Sequence, residues 1–368
     1  MRIGFDAKRA FHNASGLGNY SRFVIRILAA HFPEESLLLF NPKPNDNWDV
    51  VSHDSIQEIL PPKSSWSSFW RSFQGAKKVE QHDLDIYHGL SNELPFGIAK
   101  SKAKKIVTIH DVIFKRFPEL YKAADRLIYD KKMSHTLNAA DTVIAISKTT
   151  KEDIVRYYNT SEKKIKVIYQ GCNPLFYQRA AAKQLTQTQT KFGLPSSFFI
   201  CVGTIEERKN GLSLLKAMEE LSIDLPLVFV GRSTKYKSVL EKYVSDNHSL
   251  TDKVYFIENA TNEELCRLYQ LARFSVYPSV FEGFGIPILE SIAAGTPVIT
   301  NEEGCFKEAG GNAALYCNTS NTSELSSAIK RICSDNTLLE NLVLNGTEHL
   351  KNFEEQKLAE HHIQLYRA

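Results

Sequence analysis

The segment Y-P-S-V-F-E-G-F-G-I-P-I-L-E-S-I-A-A-G-T-P-V-I-T, Tyr277–Thr300, concentrates residue types that can do chemistry. Two carboxylates, Glu282 and Glu290, stand eight residues apart, with Gly283 and Gly285 between them. The pattern predicts a strand, a tight loop rich in backbone N–H groups, and a helix that Pro287 opens and Gly295 with Pro297 closes. Glu282 then lies in the loop and Glu290 near the first turns of the helix, where both can face one ligand. Glu290 is equally placed to complement the helix dipole. A second cluster, G-T-I-E-E-R-K-N-G over Gly203–Gly211, puts Arg208 and Lys209 after an apolar run and just before a helix. Two cations there form either a diphosphate clamp or a solvated basic turn.

The first half of the chain carries a sparser set. In S-G-L-G-N-Y, Ser15–Tyr20, Gly16 and Gly18 allow close backbone approach to a ligand, and the helix that follows offers N–H groups to a phosphate. The spacing is only a partial dinucleotide fingerprint. The next apolar run ends in Asn41–Pro42 rather than an acidic residue for a ribose, so nicotinamide chemistry is not expected. His110 ends the run Ile106–Ile109, and Ser147–Lys148 follow Thr142–Ile146. On a rim shared with a glycine loop and a lysine, His110 reads as ligand-facing, whereas Ser147 serves as well for a helix N-cap. Asp83-Leu84-Asp85 has the D-x-D form used by some metal sites but precedes a strand, which favours a structural role. No metal or other cofactor is expected, and the six cysteines show no zinc-ligand spacing.

These residues need elements that hold them. Short apolar runs alternate with amphipathic stretches in two sets. The first covers Ile3–Phe5, Leu37–Phe40, Asp85–Tyr87, Ile106–Ile109, Thr142–Ile146 and Lys166–Ile168; the second covers Phe198–Val202, Leu227–Val230, Val254–Ile257, Phe274–Tyr277 and Val298–Thr300. Helical patterns fall at Leu17–Ala30, Ala124–Ala139, Leu212–Leu221, Asn262–Ala272 and Ile286–Ala294, and the sequence turns helical after Thr300. That alternation predicts an α/β protein with two doubly wound parallel sheets. The polar stretch Tyr177–Thr190 suggests the junction, giving domains 1–177 and 178–352 and a closing helical stretch at 353–368. At 368 residues, 43% hydrophobic and 24% charged, the chain is long enough for two cores and is neither disordered nor collagen-like. A net charge of +3 is no nucleic-acid footprint. Without an apolar leader or a spanning run, the expected location is cytoplasmic.

With these motifs in place, the chain resembles the retaining GT-B glycosyltransferases of family 4. The likeness runs over nearly the whole chain and is weakest at 42–80 and 178–195. It rests on G-L-G-N-Y, T-I-H-D, A-I-S-K, V-G-T-I-E-E-R-K-N and E-G-F-G-I-P-I-L-E, the family's E-x7-E. R-K-N together with G-L-G-N-Y looks most like mannosyltransferases of O-antigen and polysaccharide synthesis. The resemblance implies two Rossmann-like domains around a cleft, the nucleotide-sugar held mainly by the second, and a C-terminal helix returning to the first. It implies metal-independent transfer of a hexose, mannose from GDP-mannose, to a glycan or lipid-linked acceptor.

The roles it implies are specific. Arg208 and Lys209 resemble the diphosphate clamp, and Glu290 the ligand of the ribose hydroxyls. Glu282, with backbone near Phe284 and Gly285, resembles the donor-sugar contact, and His110 the group near that sugar from the N-terminal side. Gly16 and Gly18 would approach the diphosphate or acceptor, Gly203 the nucleotide, and Gly231 with Glu258 the base. Arg232-Ser233 after Gly231 departs from the usual pattern. Two other readings compete: a nucleotide-sugar hydrolase or isomerase of the same fold, and a non-catalytic sugar-nucleotide-binding partner. Trp66, Phe69, Trp70 and Phe73 recur at helical spacing, a stripe open to core packing or to a peripheral contact at the inner membrane face or with a lipid-linked acceptor. The run Lys100–Lys105 reads as a solvated loop or an anionic-surface contact.

Overall fold

A computed structural model describes residues 1–45, 50, 52–62, 67–221 and 223–368. The chain forms two units: Met1–Gly171 with Phe353–Ala368, and Cys172–Asn352. The divide thus falls after Gly171, not after Tyr177. Pro174–Tyr177 forms a short 3-10 turn whose buried Phe176 lies edge-on to Tyr269, so this stretch packs with the second unit.

The first unit is built on β1 (Arg2–Asp6), β2 (Ser36–Phe40), β3 (Ile56–Ile59), β4 (Ile86–Gly89), β5 (Lys104–Ile109), β6 (Thr142–Ala145) and β7 (Ile165–Val167). They form one seven-stranded sheet in the order β3-β2-β1-β4-β5-β6-β7, with every neighbouring pair parallel. Leu38 on β2, Val107 on β5 and Val143 on β6 join one core, which Met133 and Leu137 of the helix Ala123–Ala139 help to close. The continuous apolar runs follow from burial on both sheet faces.

The C-terminal helix Glu355–Arg367 belongs to this unit and packs against the helix Gly16–His31. It buries Leu358, Ala359, His362, Ile363 and Tyr366, and Lys104 Nζ donates to the carbonyl of Leu365 at 2.7 Å. The expected Lys100–Lys105 loop is therefore partly strand. Lys104 and Lys105 open β5, and Lys105 pairs with Asp141 at 3.1 Å.

The second unit carries β8 (Phe199–Val202), β9 (Leu227–Val230), β10 (Val254–Ile257), β11 (Ser275–Tyr277), β12 (Val298–Asn301) and β13 (Ala314–Cys317). Their order is β10-β9-β8-β11-β12-β13, again parallel throughout. Two edge strands, β3 and β13, were not expected from the sequence. Part of the polar stretch taken for a junction is the helix Ala182–Lys191, in which only Thr188 is buried. In each sheet the order reverses beside the first strand of the unit, at β1/β4 and β8/β11. Ligands of open parallel sheets bind beyond the strand ends at such switch points.

Candidate active site

At the β8/β11 switch point the structure brings together Arg208, Lys209 and Glu282. The loop after β8 makes a 3-10 turn, Glu207–Lys209, ahead of the helix Gly211–Leu221, and the loop after β11 carries Glu282. Both Lys209 Nζ and Arg208 Nη1 lie 2.6 Å from the same oxygen, Glu282 Oε1. Ser279 Oγ donates to that oxygen at 2.6 Å, and Lys209 Nζ also donates to the Tyr277 hydroxyl at 2.7 Å. Arg208 is completed by Glu206 at 2.7 Å and by the carbonyl of Phe281. Burial alone would raise the pKa of Glu282, but Lys209 and Arg208 hold it at about 2. The basic turn is thus no solvated surface: two cations converge on one carboxylate that is 13% exposed.

Glu290 lies in a different electrostatic setting. Gly285, at φ +103°, starts the helix Ile286–Ala293 and Pro287 occupies its first turn. That first turn holds no acidic residue; Glu290 comes a turn later, too far in for a helix-dipole role to explain it. Burial pushes its carboxyl up to about 7, and the hydroxyl of Tyr269 is the group that counters the shift. Phe284 is buried beside this helix start.

Gly203 and Gly231 end β8 and β9. A side chain at Gly231 would meet the Gly203 carbonyl oxygen at 2.0 Å, so this glycine is required by close approach of two loops. Gly203 has Lys209 beside it, 3.6 Å from where its Cβ would be. Glu258, after β10, is exposed and pairs with Lys237 at 3.0 Å.

In the first unit His110 follows β5 and is buried. Its Nε2–H donates to the Leu90 carbonyl at 2.9 Å, its backbone N–H to Asn92 Oδ1 at 2.7 Å, and the Tyr20 ring stands edge-on at 4.7 Å. Burial lowers its pKa to about 4, so the ring is neutral at physiological pH, with Nδ1 as the unprotonated acceptor. The Tyr20 hydroxyl meets Thr108 Oγ1 at 2.9 Å, and Thr108 meets His88 Nε2 at 2.9 Å. His88 Nδ1 reaches the Tyr366 hydroxyl at 2.7 Å, tying His110's neighbour to the C-terminal helix. The two glycines of the N-terminal loop differ. Gly16 is exposed with open space at its Cβ position, whereas a Cβ on Gly18 would strike the Asn13 carbonyl at 1.8 Å. Gly18 is therefore needed to start the helix whatever binds nearby.

A glycosyl transferases group 1 model matches residues 183–349, and a glycosyltransferase family 4 model matches residues 25–174. The chain belongs to the group 1, family 4 glycosyltransferases. It is similar to the O-antigen chain mannosyltransferase B of Escherichia coli, 26% identical over 386 aligned positions covering 100% of each chain. It is also similar to the O-antigen chain mannosyltransferase RfbU of Salmonella typhimurium, 33% identical over 61% of this chain and 60% of that one. Among solved structures, a glycosyltransferase from Rickettsia africae shares the fold at TM-score 0.77 and 18% identity, over 100% of this chain and 97% of that one.

Several groups around the site of this glycosyltransferase escaped the motif reading. Tyr277 and Ser279 hold Lys209 and Glu282, the Cys305 thiol donates to the Glu282 carbonyl at 3.2 Å, and Tyr269 faces Glu290. Tyr277 and Ser279 stand at a strand end inside the quoted motif, and that position was the available signal. Ser147 is the N-cap of the helix Lys148–Tyr158, accepting from Thr150 N–H at 2.9 Å. The D-x-D aspartates lie at the opening end of β4, where Asp85 Oδ2 accepts the Arg2 N–H at 2.7 Å, away from the ligand-binding strand ends. Trp66 lies outside the described residues. The rest of its stripe divides: Trp70 is buried under Lys78, whose Nζ sits 3.6 Å from the ring centroid, while Phe69 and Phe73 face solvent. Among the described residues, no helix is long and apolar enough to cross a membrane.

Proposed function

We propose that this glycosyltransferase moves mannose from GDP-mannose to a glycan or lipid-linked acceptor in O-antigen-type polysaccharide synthesis, with retention of anomeric configuration and without a metal. The observation that carries the reading is one half-buried carboxylate, Glu282, shared by Arg208 and Lys209 at the β8/β11 strand ends. The two mannosyltransferases similar to the chain support the choice of sugar. A nucleoside diphosphate leaving group gains negative charge as its bond to the anomeric carbon breaks. Arg208 and Lys209 meet that charge, transferring from Glu282 to the diphosphate as the donor enters. Glu282, released from them, takes the hydroxyls of the donor sugar beside Phe284 and Gly285. The Glu290 carboxylate accepts from the ribose, and the base rests near Gly231 and Glu258. His110 offers Nδ1 to a sugar hydroxyl. The acceptor oxygen bonds to the anomeric carbon on the face the phosphate leaves, and the departing phosphate oxygen takes the acceptor proton, so no protein nucleophile is needed.

The test is turnover of GDP-mannose, UDP-glucose and ADP-glucose with a mannose-terminated acceptor, the new linkage being read by proton NMR. Selective use of GDP-mannose with an α-linked product supports the reading. Preference for another nucleotide, or an inverted anomer, overturns the donor or the stereochemistry respectively.

A further inference from the structure

The helix Ala123–Ala139 is apolar on two opposite sides. One supplies Met133 and Leu137 to the core; the other presents Leu127 and Ile128, 63% and 52% exposed. Two turns on from Ile128, His135 stands on the same side. The Phe96 ring meets His135 at 4.5 Å between centroids, Phe73 stacks on Phe96 at 5.3 Å, and Phe69 on Phe73 at 5.2 Å. All three phenylalanines are exposed. One apolar strip thus runs from the first turns of this helix to the short helix Ser67–Phe73. A contiguous exposed patch of this kind marks an interaction surface. Of the twelve large apolar side chains exposed among the described residues, eight belong to the first unit.

Charge follows the same division. The first unit carries 28 Lys and Arg against 22 Asp and Glu, whereas the second carries 17 against 20. Along the strip, Lys122 and Lys131 flank Leu127 and Ile128, Lys77 follows the helix Ser67–Phe73, and Lys100 and Lys102 follow Phe96, whose N–H donates to the Ser72 carbonyl at 2.7 Å. These five lysines are exposed, and none pairs with a carboxylate among the described residues. Nearby acids are partly neutralised: Glu93 by Arg71 and Lys132, and Asp130 by Lys115. Glu80, Glu119 and Asp125 remain against the five lysines.

The two properties together select the occupant. The hollow beside Arg71 and Glu93 measures about 20 Å³, room for one water rather than a small ligand. Surfaces that meet another protein are depleted in lysine, so a protein partner accounts for the rings and not for the cations. A bilayer accounts for both: aromatic and aliphatic side chains enter the boundary with the acyl chains, while lysines reach the phosphates. We infer that the strip from Leu127 to Phe69, with the lysines along it, docks the first unit on an anionic lipid surface. The helix Ala123–Ala139 connects β5 to β6, so its first turns lie at the carboxyl ends of the strands. Docking therefore turns the ligand-binding edge of the first sheet toward the lipid. The inference concerns this surface alone and stands whichever donor the enzyme uses.

The test is co-sedimentation of the full chain with vesicles of phosphatidylcholine alone and of phosphatidylcholine mixed with phosphatidylglycerol, the melting temperature of every variant being measured alongside. Wild type should bind the phosphatidylglycerol vesicles, and added salt should weaken that binding. Leu127→Ser with Ile128→Ser should lower the vesicle partition coefficient by about tenfold or more. Phe69→Ser with Phe73→Ser should act likewise from the other end of the strip. Lys122→Glu with Lys131→Glu should remove the preference for phosphatidylglycerol. All these side chains are exposed, so melting temperatures should hold. Leu344→Ser changes a side chain that is 69% exposed in the second unit and should leave partition unchanged. Four results overturn the inference: no sedimentation of wild type with either vesicle, undiminished sedimentation of both apolar pairs, an equal loss in Leu344→Ser, or lipid-free self-association of wild type that both apolar pairs abolish. The last would make the strip an interface between copies of the chain.

Discussion

The two sheets share a plan and reverse strand order at the same place, yet their switch points carry opposite charge logic. At β8/β11 one carboxylate, Glu282, lies between Arg208 and Lys209. At β1/β4 one guanidinium, Arg71, lies between Asp6 and Glu93. Removing the central group of the first frees two cations, which suits a diphosphate; in the second, Arg71 holds both carboxylates ionised. The fold supplies the place, and the sign of the shared central group sets which ligand charge each place can suit.

Breaking the donor cluster at its centre should have the largest effect. If Glu282 acts on the donor sugar as proposed, Glu282→Gln should lower kcat by about 10²–10³-fold, a loss that saturating donor does not restore, because positive charge develops on that sugar in the transition state. Steady-state kinetics at several donor concentrations checks this. Next in size, Arg208→Ala or Lys209→Ala should each weaken nucleoside diphosphate binding by about 1.5–3 kcal/mol, read by calorimetry; unchanged affinity in both removes the clamp.

Glu290 sharpens the comparison through pH. Its carboxyl is raised by burial to about 7 and Glu282's is lowered to about 2, so only Glu290 titrates near neutrality. If Glu290 holds the ribose as proposed, donor KM in wild type should rise as pH falls through 7 and its carboxylate is protonated. Glu290→Gln should raise donor KM about tenfold, with rescue by excess donor. The sign for stability is opposite to the usual acid. A folded pKa above the unfolded value makes ionisation unfavourable, so wild type should lose stability relative to Glu290→Gln as pH rises from 4.5 to 7. Melting curves of both proteins across that range decide it. The smallest expected effect is that of EDTA: activity should be retained, and a loss restored by Mg²⁺ or Mn²⁺ would redirect attention to Asp83 and Asp85.

The sequence makes the second unit's cluster legible and the first unit's much less so, for a physical reason. Glu282 and Glu290 lie within one strand–loop–helix unit, so local spacing predicts their placement. Arg208 and Lys209 are likewise legible from the loop before a helix. That these cations close on Glu282, seventy-three residues beyond Lys209, is tertiary and has no local signature. Asp6, Arg71 and Glu93 come from three separated segments, and nothing in their spacing announces a cluster. The aromatic stripe, open in the sequence to core packing or a peripheral contact, divides between the two on a helix of seven residues. Phe69 and Phe73, four apart, share the solvent side, while Trp70, one position on, turns into the core. The missed strands β3 and β13 are sheet edges. In β3, Ile-Gln-Glu-Ile is only half-buried, so it lacks the apolar run that marks the inner strands.

Calorimetric titration of Glu282→Gln tests the central claim most directly. The ligand is whichever of GDP, UDP and ADP binds wild type most tightly. If Glu282 is the counter-ion that the donor diphosphate replaces, its neutralisation frees Arg208 and Lys209. The variant should then bind the nucleoside diphosphate at least as tightly as wild type while failing to turn over the donor. A fall in affinity as large as that of Lys209→Ala would contradict the account, making Glu282 a fixed part of the nucleotide site rather than the group exchanged for it.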